Sequence, residues 1–341
     1  MVTGIDAQAL QWNPSLHGMG RDQGFCVAKT SVVRLGQPVS MRDQGRGNVV
    51  SSQVDQARLI GERALFFADG TAVTDSVFAD GESPLKHARG VTLDHVIFEW
   101  KYPLWYSSAI TADRCVLAET ARSGIWYADG VAMSDCLVAA PKTFRRAKRI
   151  RLNRVDLPNA QETLWGCSDV RLEAVSARGD YFAMNSTGVQ AKNLRLTGNY
   201  AFDGCSDVEV VDSTLASKDA FWNCHDVVVR DSTIIGEYLG WNSTNLTFIN
   251  CTIESLQGLC YVDNLVMRDC HLINTTLAFE YSSVDVIIDG AIGSVINPNS
   301  GVIKADSIGE LILDPERIDP GLTRIILTDS GDRIGGDPTR C

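Results

Sequence analysis

Five short runs in the second half of the chain, KNLRL, VDSTL, RDSTI, INCTI and RDCHL, begin at residues 192, 211, 230, 249 and 268. The same kind of segment therefore returns every 19 residues. Upstream the interval loosens slightly, to 20 between Leu65 and Leu85 and 21 between Trp105 and Trp126. The pattern can be followed from about Gly61 to Leu313. A fixed period of this length means that each unit is one small piece of structure, unable to bury its apolar side alone, that stacks on its neighbours.

The units consist of strands. In NLTFINCTI, Leu246, Phe248 and Ile253 alternate with polar residues, and comparable runs are rich in Val, Ile, Thr and aromatics and broken by Gly, Asn and Asp. No ten-residue stretch keeps a helical period, which excludes helical repeats, and the frame of a leucine-rich repeat is absent. The arithmetic leaves an all-β fold, a single-stranded right-handed parallel β-helix of about a dozen coils of 19–21 residues. Residues 58–313 are expected to form it. Residues 1–57 are expected to be an irregular extension or cap, and 314–341 a C-terminal cap or tail.

The chain has 341 residues, 45% of them hydrophobic and 21% charged, ample for one large core. No window approaches the roughly 18 apolar residues of a membrane span, and no export signal opens the sequence, so a cytoplasmic location is expected. A net charge of -11 argues against a nucleic-acid or anionic-membrane partner. The ten cysteines lack C-x-x-C pairs. Cys251 and Cys270 align with Ser213 and Ser232, and Cys115 and Cys136 hold a similar place, so they read as an inward column of small buried side chains. No metal is expected, because neither a zinc-type histidine spacing nor a calcium-type acidic cluster is present, and no cofactor is implied.

Two further columns bear on function. SKDAFWN and GEYLGWN, KYPLWY and RSGIWY place a tryptophan on successive coils: Trp105, Trp126, Trp222 and Trp241, with Tyr261 beyond. With strand alternation, Pro103, Ala220 and Leu239 share the tryptophans' outer face, and Leu104, Ile125 and Phe221 point inward. Glu62, Glu82, Lys101, Arg122, Lys218 and Glu237 line up as a charged edge beside the rings. A trough floored by rings and rimmed by hydrogen-bonding groups suits an oligosaccharide or polysaccharide. The competing reading is a stacked aromatic ladder, with Asn223 and Asn242 as turn residues and Lys218–Glu237 as a structural ion pair. For hydrolysis, paired carboxyls are required; the candidates are Glu82 (with Glu62), Asp203, Asp219 and Glu237, although Asp219 shares the parity of Phe221. Lys101, Arg122, Lys218 and Asn242 join the four tryptophans and Tyr261 as candidate substrate contacts.

In order along the chain, GERALFF, DGESPLKH, KYPLWYS, ARSGIWY, APKTFRR, NAQETLWGC, GDYFAMNS, SKDAFWN, GEYLGWNS, LQGLCY and TTLAFEYS resemble the bacterial family called domain of unknown function 3737. The resemblance covers about 61–310 and implies a pectin-lyase-like β-helix, but no activity. Of the wider superfamily's catalytic signatures, the G-H-G and paired-aspartate motifs of polygalacturonases and the arginine motif of pectate lyases are not found. The leading expectation is a carbohydrate-active enzyme, hydrolase-like and carboxylate-based. The rival is a non-catalytic glycan-binding or scaffold β-helix that forms a homo-oligomer through the same face.

Overall fold

The computed structural model describes residues 52–328 and the backbone of Val32–Arg34. The expected extension over 1–57 and the end of the tail lie mostly outside the described residues. From Gln53 to Leu327 the chain winds into a parallel β-solenoid of about 14 turns, somewhat more than the dozen counted from the repeat.

Each turn has three sides. One is a strand of three residues in the first coils, such as Ala72–Thr74, and of six in most later ones, such as Ser206–Val211, His225–Arg230 and Thr244–Ile249. The second is a strand of two or three residues, such as Thr214–Ala216 and Thr233–Ile235. The third is a run of turns, such as Lys218–Asn223, whose backbone still bonds from coil to coil. The strands of each side pair in parallel, in register with the repeat: Val208 faces Val227, which faces Leu246, and Leu215 faces Ile234, which faces Ile253. At the first coil, Val32–Arg34 adds an antiparallel strand against Ala57–Leu59.

The 19-residue period is a register device. Val227, Val229 and Ile234 of one coil sit over Val208, Val210 and Leu215 of the last, and all six are buried. The core also stacks rings: Phe202 and Phe221 lie 5.2 Å apart at 13°, and Phe78 and Phe98 4.9 Å apart at 2°. Between the long and short strands the chain turns through a left-handed residue, Asp212, Asp231 or Asn250, at φ near 50°. Asp and Asn adopt that conformation more readily than other non-glycine residues.

The following small residue closes the corner. Leu194 N–H donates to Ser213 Oγ at 3.0 Å, and Ser213 N–H to Ser232 Oγ at 3.0 Å. Cys115 N–H donates to Cys136 Sγ at 3.3 Å. A buried N–H must find an acceptor, and each corner takes it from the next coil. The cysteine column is therefore an acceptor column in which serine and cysteine do the same task. All eight described cysteines are free and buried. Burial pushes the Cys167 and Cys224 thiols up to about 12, so they stay protonated and non-nucleophilic.

The turn side overturns part of the expected facing. Pro103, Ala220 and Leu239 are buried beside Leu104, Phe221 and the rest of the core, not exposed with the tryptophans. Asp219, Phe221 and Asn223 all have φ between 55° and 57°. A run with every second residue left-handed coils instead of pleating, so the two-residue alternation of a strand does not apply to it.

Candidate functional site

Backbone bonds between coils fix the columns of the turn side. One column reads Glu62, Glu82, Lys101, Arg122, and further on Lys218 and Glu237, the charged edge expected from the spacing. The next holds Tyr181, Tyr200, Asp219 and Tyr238. Three residues on runs the ring column: Phe66, Lys86, Trp105, Trp126, Arg145, Trp165, Met184, Asp203, Trp222 and Trp241.

The tryptophans stand outside the core, half-buried, and stack on one another. Trp105 and Trp126 lie 5.2 Å apart at 8°. Arg145 covers the far side of Trp126 with its guanidinium carbon 5.0 Å from the ring centre, and is itself 4.8 Å from Trp165. Trp126 Nε1–H donates to the carbonyl of Lys142 at 2.8 Å. A second file, Phe67, His87, Tyr106 and Tyr127, stacks alongside, and the last two lie 4.9 Å apart at 7°. Trp105 and Trp126 therefore offer no open ring face to a sugar, which corrects their expected role as platforms. The cause is metric: coils repeat at about 4.8 Å, a distance at which consecutive rings stack on each other.

The ring column is broken at Met184 and Asp203, and three of the four candidate carboxyls, Asp203, Asp219 and Glu237, lie on the Asp203 coil and the two that follow it. Tyr181 and Tyr200 stack at 5.0 Å on one side of the break, and Tyr200 and Trp222 lie 6.3 Å apart at 24°. Trp222 and Trp241 are tilted at 58°, and Trp241 is crowded by Tyr238 and Tyr261. Asp203 is half-buried and accepts from Asn223 Nδ2 at 3.2 Å; Asn242 Nδ2 in turn donates to Asn223 Oδ1 at 2.7 Å. Asn223 and Asn242 are left-handed turn residues whose amides form a ladder, so the Asn242 side chain is already engaged.

Among the described residues, Asp219 is a buried carboxylate of unusual isolation. It is 1% exposed, neither carboxylate oxygen meets a donor at full hydrogen-bond geometry, and the Tyr200 hydroxyl is close enough to act on it. Desolvation pushes its pKa above the usual aspartate range, against the pull of Lys218 and of the Tyr200 hydroxyl; the charges of Glu237 and Asp203 push it further up. Desolvation likewise raises Asp203, against the Asn223 hydrogen bond. The charge of Asp219 raises the Tyr200 hydroxyl. Asp219 thus feels the charges of Asp203 and Glu237, and its own charge acts on Tyr200.

The remaining candidates do not join it. Glu82 is ion-paired with Lys101 at 3.1 Å, and Glu62 Oε1 accepts from the Glu82 backbone N–H. Its coil is six below that of Asp203, about 29 Å at the ordinary strand spacing. Glu82 is therefore no partner for the other carboxyls, and Lys101, Trp105, Arg122 and Trp126 belong to a separate stretch of the turn side. Lys218 and Glu237 form an exposed ion pair at 3.4 Å, the structural alternative weighed above. Tyr261 is exposed at the far end, tilted between Trp241 and Tyr281. The sequence reading missed Tyr200, Asn223 as a donor to Asp203, and the Arg145 sandwich. The signal for each was present in the 19- to 21-residue alignment of the columns.

Among the described residues no three His, Cys, Asp or Glu groups are placed to hold a metal ion, and no helix is long and apolar enough to cross a membrane.

The model of the family "protein of unknown function (DUF3737)" matches residues 52–326, and the chain belongs to that family. No curated protein sequence matches the chain. Among solved structures, similarity is found to the A-module of a mannuronan C-5 epimerase of Azotobacter vinelandii, at 10% identity and a TM-score of 0.29, covering 83% of this chain and 90% of that one. A surface adhesin of Streptococcus pneumoniae is similar at 8% identity and a TM-score of 0.35, over 81% and 84% of the two chains. A mutant tailspike protein of E. coli bacteriophage HK620, in complex with a pentasaccharide, is similar at 9% identity and 0.31, over 77% and 60%. At these scores the likeness extends to no particular residue.

Proposed function

We propose that this member of the DUF3737 family binds a carbohydrate chain across the break in its ring column and hydrolyses it with the carboxyls gathered there. The observation that carries the reading is Asp219. A fold that keeps a buried carboxyl without a full hydrogen bond forgoes about 1–3 kcal/mol, and groups so perturbed concentrate at functional sites. Beside it stands a second carboxyl with a raised pKa, Asp203, half-exposed and flanked by Tyr200 and Trp222. Raised carboxyls retain their proton at a pH where ordinary ones have lost it, which is what a general acid needs.

In this reading Asp203, the accessible member, protonates the glycosidic oxygen. Asp219, buried beside it, carries charge above its raised pKa and stabilises the positive charge that develops on the sugar ring as that bond breaks, and the water that adds to the sugar carbon releases its proton to solvent. Trp222 and Tyr200 border the sugar. Trp241, Asn242 and Tyr261 support this wall, and Lys101, Arg122, Trp105 and Trp126 lie too far along the solenoid to touch the same sugar unit.

A second reading has its own observation. The tryptophans and asparagines are engaged with each other, and Asp219 is covered, as in a scaffold whose ladder only stiffens the turn side. One assay separates the two: reducing ends released from a panel of neutral and acidic polysaccharides by the wild type, Asp203→Asn and Asp219→Asn. The hydrolase reading expects release by the wild type and at least about a hundredfold loss in each variant. No release from any polymer, or equal release by all three proteins, refutes it.

A further inference from the structure

Over its last seven coils the long-strand sheet carries an outward pattern that neither the core nor the ring column uses. One row of side chains runs through Glu209, Val228 and Thr247, and a second through Val211, Arg230 and Ile249. The apolar members of the first row are Val228, Val266 and Val302, on every second coil; those of the second are Val211, Ile249 and Ile287, on the coils between. All six are partly exposed, while Val208, Val227 and Leu246 on the same strands face inward and are buried. A solvated sheet face is ordinarily polar at its outward positions. This one is a checkerboard of β-branched and polar residues.

The polar squares are sorted by charge. From Glu209 to Val302 the charges of the first row are negative, Glu209 and Asp285; those of the second are positive, Arg230, Arg268 and Lys304. Arg268 pairs with Asp285 of its own chain at 2.5 Å. Glu209, Arg230 and Lys304 are in no ion pair among the described residues.

We infer that this face joins two copies of the chain in a parallel homodimer, about a two-fold axis that runs along the solenoids. The spacing favours a second copy, because only a surface with the same coil repeat keeps in step with the checkerboard over seven coils. Turned about that axis, the first row of each copy faces the second row of the other at the same height. Each apolar side chain then enters the space between two apolar side chains opposite, as in sheets packed face to face: Val228 between the partner's Val211 and Ile249, and Val266 between the partner's Ile249 and Ile287. The charges agree. Arg230 lies beside the partner's Glu209, and Arg268 and Lys304 lie beside the partner's Asp285. An antiparallel pair sets each row against itself and brings the three cations against their own copies, which is unfavourable. A six-residue strand spans about 20 Å and seven coils about 34 Å. The face therefore offers roughly 700 Å² per copy, or roughly 1,400 Å² in all, within the range of about 1,200–2,000 Å² that stable interfaces bury.

The interface lies on a different side from the ring column, and its test is independent of the proposed hydrolysis. The mass of the full-length chain is measured by sedimentation equilibrium over a range of micromolar concentrations. The variants are Ile249→Glu, Arg230→Glu, the double reversal Arg230→Glu with Glu209→Arg and, on the ring side, Tyr261→Ala. The inference expects a wild-type dimer whose Kd rises by about tenfold or more in Ile249→Glu and in Arg230→Glu. The double reversal should restore the dimer, and Tyr261→Ala should leave it unchanged. A monomeric wild type, a dimer that Ile249→Glu does not weaken, or one that the double reversal fails to restore overturns the inference. So does a dimer that Arg230→Glu tightens, as an antiparallel pair would, or one lost with Tyr261→Ala. Circular dichroism melts show whether the variants are folded. Should Ile249→Glu unfold, Val228→Thr with Ile249→Thr, which keeps β-branched residues on the strands, takes its place with the same loss expected.

Discussion

Replacing Asp219 by asparagine should stabilise this protein at neutral pH, against the usual direction of a buried substitution. Asparagine accepts the left-handed φ of 57° as readily as aspartate, so the backbone is undisturbed. The change removes a charge that lies 1% exposed with neither oxygen held at full hydrogen-bond geometry. Asparagine leaves its amide just as buried, so the gain is only the extra cost of burying a charge instead of a neutral polar group, about 1–2 kcal/mol, and in a domain of this size each kcal/mol moves the melting midpoint by about 2–4 °C. The variant should thus melt several degrees higher at pH 7. The pH dependence has a definite sign. Desolvation raises the Asp219 pKa in the fold above its unfolded value, so the folded state binds a proton more readily. The wild type loses stability as pH rises from the unfolded value through the folded one, and the protonated acid below that window carries no penalty. The gain of Asp219→Asn should therefore be full above the folded pKa and fade towards zero below about pH 4. Melting curves of both proteins from pH 3 to pH 8 measure this directly. A variant that melts lower than the wild type at pH 7, or a gain that does not depend on pH, refutes the description of Asp219 as an orphaned carboxylate.

Three other outcomes follow from the packing. Cys136→Ser should cost under about 1 kcal/mol, since serine at the equivalent position of later coils accepts the same N–H, whereas Cys136→Ala leaves the Cys115 N–H buried without an acceptor and should cost about 1–3 kcal/mol; urea melts of the pair decide it. Trp126→Ala removes ring contacts with both Trp105 and Arg145 and should cost about 3–5 kcal/mol, and Trp126→Phe markedly less, read by the same melts. Gly236→Ala drives a Cβ into the backbone carbonyl of Ser217 on the preceding coil; its soluble yield and melting point should both drop sharply, while alanine at Gly61, where nothing lies within 4 Å and only the backbone φ of 104° opposes a side chain, should cost less.

The fold was legible because a solenoid writes its register into the sequence. Once Val208, Val227 and Leu246 are seen 19 residues apart, parallel stacking follows, and so do the columns of Cys and Ser and the charged edge from Glu62 to Glu237. The turn side was less legible. Alternation holds only where the backbone is pleated, and the left-handed residues at 219, 238 and 102 turned Ala220, Leu239 and Pro103 inward against expectation. The stacking of Trp105 on Trp126 was available in principle, since two rings one coil apart are separated by the strand spacing itself. The isolation of Asp219 was not, because it depends on which donors fail to reach a carboxyl set between Tyr200 and Tyr238. The grouping of carboxyls was half legible: Asp203, Asp219 and Glu237 share neighbouring coils, while Glu82 belongs to another part of the column and is occupied by Lys101.

The central claim is that the break in the ring column at Met184 and Asp203 is a carbohydrate site. Its most direct measurement is a glycan-array screen of the full-length wild type beside Trp222→Ala and Trp105→Ala. The account predicts at least one glycan bound by the wild type and by Trp105→Ala and lost with Trp222→Ala. An array on which the wild type binds nothing, or on which Trp222→Ala binds every glycan the wild type does, contradicts it and leaves the turn side as a structural ladder.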